Sequence, residues 1–125
     1  MFQLTNLKII DLSYNNLEAI PPEIKIFQDL VALYLNNNPL KTVPVEIAEC
    51  KKLKTLDLSE TLVSWLPREM AQLKFLQEVN LKNCPLKTNL SSSYDMGINT
   101  LMFYFERKYD RRKYKVIFLF FLKED

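Results

Sequence analysis

The chain has 125 residues, 48% of them apolar and 26% charged, a composition suited to one folded domain with a hydrophobic core. Its formal net charge is only +2, which does not indicate a polyanionic partner, and we expect no nucleic-acid binding. The sequence has no histidine and a single glycine, which argues against histidine-based catalysis, histidine metal sites and multi-glycine phosphate loops. We therefore expect no enzymatic activity, no metal and no cofactor.

A unit of 23 residues recurs from the start of the chain, with copies beginning at Leu7, Leu30 and Leu53 and a partial fourth at Leu76. Each full copy places apolar residues at offsets three, five, ten, thirteen and seventeen from its first leucine. Such a period indicates a stack of similar structural units. The pattern divides the chain into repeats over 1–94, a capping helix with a basic extension over 95–115 and an apolar tail over 116–125.

The first half of each copy alternates apolar and polar residues, as Leu33, Tyr34 and Leu35 do in the second copy. A period of two predicts a short strand with one buried face. Because the spacing between copies is constant, we expect parallel strands in register, with the side chains at one offset forming a row.

The residue at offset eight is predicted to face inward just after each strand. The four copies have Asn15, Asn38, Thr61 and Cys84 at this position. A buried asparagine amide can both donate to and accept from turn backbone, a threonine hydroxyl can do part of this, and a thiol does it weakly. The ladder of hydrogen bonds should therefore weaken toward the C-terminal end.

The second half of each copy has a proline at offset fourteen and a glutamate two residues later, as in Pro44 and Glu46. We expect one or two turns of α-helix or 3₁₀ helix on the outer face, with the proline at the first helical position. At offset twelve the third copy has Trp65 where the others have Ala19 and Thr42. This side chain is predicted to be either half-buried against Leu62 or an exposed contact.

These residues resemble the leucine-rich repeat, L-x-x-L-x-L-x-x-N/C-x-L, in its 23-residue form with I/L/V-P after the strand half. They look most like the intracellular proteins of Ras-suppressor, Shoc and Scribble type. The resemblance covers about residues 4–105 and implies an α/β fold, a right-handed solenoid with parallel strands on its concave face and a C-terminal capping helix. Because Met1 and Leu4 fall at offsets seventeen and twenty of an earlier copy, a fragment or short isoform of a longer array is one interpretation.

The segment 97–105, GINTLMFYF, resembles the closing helix of the family. Four of its apolar residues have the spacing of one helical face, and Asp95 is the predicted N-cap. That face should cover the open end of the last repeat. Its members are Ile98, Leu101, Met102 and Phe105.

The C-terminal residues combine a basic run with an apolar one. The run 106–115, ERKYDRRKYK, has six basic and two acidic side chains, and either a solvated helix face or a surface for an acidic partner or lipid fits it. Membrane contact through Arg107–Lys115 belongs to the second interpretation. Val116–Leu122 is too short to span a bilayer, and the sequence does not define its structure.

The resemblance implies a protein-binding scaffold, and the frame places the candidate contacts on the concave face. Acidic side chains predominate there, so we expect a protein partner with a basic or polar surface. Solvated strand residues without a partner are the alternative for any one position. The predicted partner-binding residues are Asp11, Tyr14, Tyr34, Asn36, Asp57, Ser59, Glu60, Glu78, Asn80 and Lys82.

Three functional hypotheses follow. The first is a cytoplasmic interaction module in signalling or complex assembly, consistent with the lack of a secretory signal and with Cys50 and Cys84 as reduced packing residues. The second is a membrane-peripheral protein attached through its basic segment and apolar tail. The third is a targeting fragment of a larger signalling enzyme.

Overall fold

A computed structural model describes residues 4–110. Residues 1–3, residues 111–115 of the basic run and the whole apolar tail lie outside the described residues, and so do the predictions made for them. Four short strands form one sheet in the order β1-β2-β3-β4. They are β1 (Ile9–Asp11), β2 (Ala32–Tyr34), β3 (Thr55–Asp57) and β4 (Glu78–Asn80).

All neighbouring strands are parallel and pair with a shift of one 23-residue copy. Ile10 aligns with Leu33, Leu33 with Leu56, and Leu56 with Val79. The constant spacing of the repeat therefore gives the predicted register, and each offset forms a row across the sheet. The predicted fold class, a leucine-rich-repeat solenoid with a C-terminal capping helix, is confirmed.

The outer side of the first three copies is made of 3₁₀ helices, over Pro22–Ile26, Val45–Glu49 and Arg68–Gln72. The proline at offset fourteen precedes each helix as its N-cap residue with extended backbone, so its predicted place at the first helical position is wrong. An extended N-cap suits proline because its fixed φ is compatible with that conformation. The glutamates lie in the first helical turn, as expected.

The core lies between the sheet and the 3₁₀ helices and is complete from the second copy onward. Leu30, Leu33, Leu53, Leu56 and Leu58 are fully buried. In the first copy the same offsets are only partly covered, and Leu12 remains 40% exposed although the frame predicts an inward side chain. Its equivalent Leu35 is 1% exposed, because a repeat lies on each side of it.

Within residues 4–110, two helices follow β4, namely α1 (Thr88–Asp95) and α2 (Ile98–Tyr109). Leu101 and Phe105 of α2 are buried, as the predicted apolar face requires. Asp95 ends α1, and the N-cap of α2 is Gly97 at φ 102°, so the predicted cap is wrong. A positive φ of this kind is accessible to glycine without a steric penalty.

The tyrosine Tyr94 of α1 terminates the sheet at β4. In the earlier copies the backbone N–H at offset five donates to the next strand, as Leu58 does to the carbonyl of Asn80 at 2.8 Å. At the last copy, Leu81 N–H donates to the Tyr94 hydroxyl at 3.1 Å. The hydroxyl thus takes the position of a fifth strand's carbonyl and satisfies a backbone donor that would otherwise lack a partner.

Candidate functional site

The concave face carries rows of side chains that the strand register aligns. Asp11, Tyr34, Asp57 and Asn80 occupy the same offset and pair one after another across the four strands. Neighbouring members of such a row lie about 4.8 Å apart along the hydrogen-bonding direction. An aromatic ring therefore stands between two carboxylates.

The ten predicted contact residues differ in accessibility. Five are well exposed, and among them the side chain of Tyr14 is 76% exposed. The others are half-buried by their neighbours in the sheet: Tyr34, Asn36, Asp57, Ser59 and Asn80. All ten retain a solvent-accessible part, whereas the neighbouring concave position Ala32 is buried.

Short polar turns position the carboxylates at the strand ends. Asp57 Oδ1 accepts hydrogen bonds from the backbone N–H of Ser59 at 3.0 Å and from its hydroxyl at 2.7 Å. Asp11 makes the same pair of bonds with Ser13, and these bonds hold the pKa of Asp11 below its usual value. Each aspartate thus uses one oxygen to fix the turn, which leaves the other oxygen without an assigned partner in the described hydrogen bonds.

In every copy a residue with left-handed backbone lies three positions after the last residue of the strand, a feature that the sequence pattern did not predict. Tyr14, Asn37, Glu60 and Asn83 have φ between 55° and 62°. In the first three copies the backbone N–H of this residue links its turn to the next one, as Tyr14 N–H does by donating to the carbonyl of Asn36 at 3.0 Å. Asparagine tolerates this conformation, whereas a bulky tyrosine there is uncommon and strained. Asparagine occupies only two of the four positions, so no common residue type marked them in the sequence.

Beneath this surface, Asn38 and Thr61 of the inward ladder are buried as predicted, whereas Asn15 of the first copy is exposed. Asn38 Oδ1 accepts from the backbone N–H groups of Asn15 and Leu17, both at 3.1 Å. Its Nδ2 donates to the carbonyls of Leu12 and Leu35 at 3.0 and 2.9 Å and to a third carbonyl at 3.3 Å.

The ladder is thinner in the next two copies, as predicted. Thr61 Oγ1 donates to the carbonyl of Leu58 at 2.7 Å, and Cys84 Sγ donates to the same carbonyl at 3.0 Å. Cys50 and Cys84 are both free thiols. Burial raises the pKa of Cys50 to about 11, so this thiol is protonated at neutral pH.

The first copy exposes an apolar end face. Leu7, Leu12 and Ile26 are each at least 37% exposed and line a concave space of about 390 Å³. Leu7 N–H donates to the carbonyl of Leu4, the bond that in later copies joins one repeat to the next. Residues 4–7 therefore have the conformation of a connection between repeats.

The described residues 4–110 contain no group of three or more histidine, cysteine or acidic side chains placed to hold a metal ion. Within the same range, no helix combines the length and the apolar character needed to cross a membrane.

Comparison with known proteins agrees with the geometry. Residues 5–49 match the family described as leucine-rich repeats, two copies. Among solved structures, the leucine-rich-repeat protein LIC12759 of Leptospira interrogans is 38% identical, with a TM-score of 0.66, and the match covers 68% of this chain and 22% of that one. The search of curated proteins returned no match.

The fold, the repeat frame and these matches identify the chain as a leucine-rich-repeat protein. It spans about a fifth of the length of the leptospiral structure that it matches.

Proposed function

We propose that this chain is a non-catalytic scaffold that binds a partner protein on its concave face. One observation carries the proposal: the row in which Tyr34 stands between Asp11 and Asp57. A tyrosine offers a large contact area at low cost in side-chain entropy, and aromatic anchors often contribute most to an interface.

The charge of the face defines the partner that we propose. Asp11, Asp57, Glu60 and Glu78 contribute four carboxylates against the single ammonium group of Lys82. A partner with a basic surface would gain in both association rate and specificity from this arrangement. We place this interaction in intracellular signalling or complex assembly, which the resemblance to Ras-suppressor, Shoc and Scribble repeats suggests.

The strained tyrosine Tyr14 supports a binding role. A residue at φ 57° with a bulky, 76% exposed side chain adds strain without adding core packing. Strain of this kind often accompanies function. Tyr14→Asn should therefore keep or slightly raise the melting temperature and yet weaken binding to the partner.

The test measures affinity for a purified partner that the full chain has captured. Tyr34→Ala combined with Asp57→Asn should weaken binding at least tenfold by isothermal titration calorimetry. Asparagine keeps the Oδ1 acceptor for the Ser59 turn, as Asn80 does for Lys82 at 3.1 Å, and removes only the charge. The matched control, Glu49→Lys, changes an exposed charge on the outer side and should leave the affinity within about twofold.

Unchanged affinity in the double variant, with a wild-type circular dichroism spectrum, would refute the concave site. The membrane-peripheral alternative predicts a different result, namely that neutralising Arg111, Arg112 and Lys113 abolishes attachment to liposomes while the concave variants bind them normally.

A further inference from the structure

A second groove lies on the opposite side of the molecule, between the third 3₁₀ helix and α2. It has a volume of about 440 Å³ and is separate from the concave rows. Its apolar lining includes Trp65, Leu66, Pro67 and Tyr104. The groove exists because α2 packs beside the third 3₁₀ helix where a regular repeat would have continued.

The tryptophan Trp65 is larger than the frame requires at its position. The equivalent residues Ala19 and Thr42 show that a small side chain satisfies this offset. Trp65 remains 43% exposed, so its burial is partial, and it is one of the residues that line the groove. A partly exposed tryptophan in a cleft is a frequent anchor for a partner's side chain.

Cations surround this apolar surface. Arg68, Lys87 and Lys108 all line the groove, against one carboxylate, Glu69, which Arg68 already contacts at 3.6 Å. Lys108 lies over the Tyr104 ring, with Nζ 5.1 Å from the ring centroid. Between residues 4 and 110, neither Lys87 nor Lys108 forms an ion pair.

We propose that this groove binds an acidic segment of a partner protein. In this arrangement an apolar side chain of the segment contacts Trp65 and Pro67, while flanking carboxylates contact Lys87 and Lys108. The charge is opposite to that of the concave face, so the site is distinct from the one proposed above and does not depend on it. A scaffold with an acidic face and a basic groove can hold two partners of different charge at once.

The single tryptophan of the chain makes the test direct, because Trp65 is its own fluorescent reporter. The full chain is titrated with the acetylated and amidated peptide Glu-Glu-Leu-Glu-Glu, and in parallel with Lys-Lys-Leu-Lys-Lys. The acidic peptide should give a saturable blue shift of the tryptophan emission, weakened by salt, and the basic peptide should give none. An affinity in the range of about 10 µM to 1 mM is expected for so small a contact.

Charge reversal locates the site. Lys87→Glu with Lys108→Glu should weaken the acidic peptide at least tenfold, whereas Lys54→Glu, an exposed lysine that does not line the groove, should stay within about twofold. If the double variant fails to fold by circular dichroism, Lys87→Gln and Lys108→Gln are measured singly, and each should weaken binding about threefold.

Three results would overturn the proposal. They are an equal shift with the basic peptide, an affinity that the groove variants do not change, and a shift produced only by phosphatidylserine vesicles. The last result would assign the groove to anionic lipid instead of a protein segment.

Discussion

Replacing Asn38 by alanine tests the inner ladder on which the concave turns rest. The substitution removes the acceptor of two backbone N–H groups and the donor to three nearby carbonyls. The Leu35 carbonyl lies in the buried part of this network, and an unpaired buried group costs about 1–3 kcal/mol. The groups of Leu12, Asn15 and Leu17 are partly accessible, so water recovers some of their bonds.

We therefore expect Asn38→Ala to lower the free energy of unfolding by about 2–4 kcal/mol, out of the roughly 5–15 kcal/mol typical of a domain. The melting temperature should fall by about 8 °C or more. Urea denaturation followed by far-ultraviolet circular dichroism measures the free energy, and an unchanged denaturant slope would show that the folded and unfolded states are comparable.

The neighbouring residue gives a matched control. Asn37 has φ 60°, so alanine there would add strain of its own, whereas Asn37→Gly keeps the left-handed conformation available. Asn37→Gly should change the free energy of unfolding by about 0.5 kcal/mol or less. Equal losses in the two variants would refute the assignment of Asn38 as the residue that ties one turn to the next.

Three further stability predictions follow from the same structure. Leu35→Ala should cost about 2–5 kcal/mol in urea denaturation, because truncating this buried residue directly after β2 leaves a cavity between two repeats. Tyr94→Phe should cost about 1–2 kcal/mol by thermal melting, because the Leu81 N–H loses its acceptor; an unchanged melting temperature would refute the sheet-terminating role. Cys50→Ser removes a thiol whose pKa is raised by burial from 9.0 to about 11. Because the unfolded chain ionises this thiol at a lower pH than the folded chain does, its contribution to the free energy of unfolding is complete below pH 9 and is lost as the pH rises toward 11. The free energy of unfolding of the wild type should therefore fall by about 2 kcal/mol relative to that of the variant between pH 8 and pH 11.

The fold could be predicted from the sequence because it follows from the 23-residue period and from the position of each apolar residue within the repeat. A spacing of 23 residues fixes which strand residues share a row, and the alternation around Tyr34 fixes which side is buried. The inward role of Asn38 follows from the same frame. These are properties of the pattern, and the observed register reproduces them.

The helix α2 was predicted from the spacing of its apolar residues, whereas α1 and the open first copy could not be predicted because neither is part of a periodic pattern. The helix α1 has the polar sequence TNLSSSYD, in which only Leu90 is buried, so its sequence has no apolar stripe that would predict a helix. Its Tyr94 hydroxyl acts through one hydrogen bond that no spacing rule encodes. The exposure of the first copy depends on the packing of neighbouring repeats, because Leu12 has the same offset as the buried Leu35 but is covered by a described repeat on one side only.

The features of the candidate site that follow from the repeat were likewise predicted, whereas those that depend on local backbone conformation were not. Strand register gave the row through Asp11, Tyr34 and Asp57, which the structure brings together. The left-handed turn that orients Tyr14, and the groove beside Trp65, depend on backbone conformation and on the path of α2. Neither is encoded in the residue pattern of a single repeat.

The most direct test of the concave site is photo-crosslinking to the captured partner. The photoreactive residue p-benzoylphenylalanine is introduced in place of Tyr34 in one sample and in place of Phe75, an aromatic residue 60% exposed and outside the concave rows, in another. The concave site predicts an adduct with the partner from position 34 and none from position 75, as resolved by mass spectrometry. An adduct from position 75 alone would contradict it.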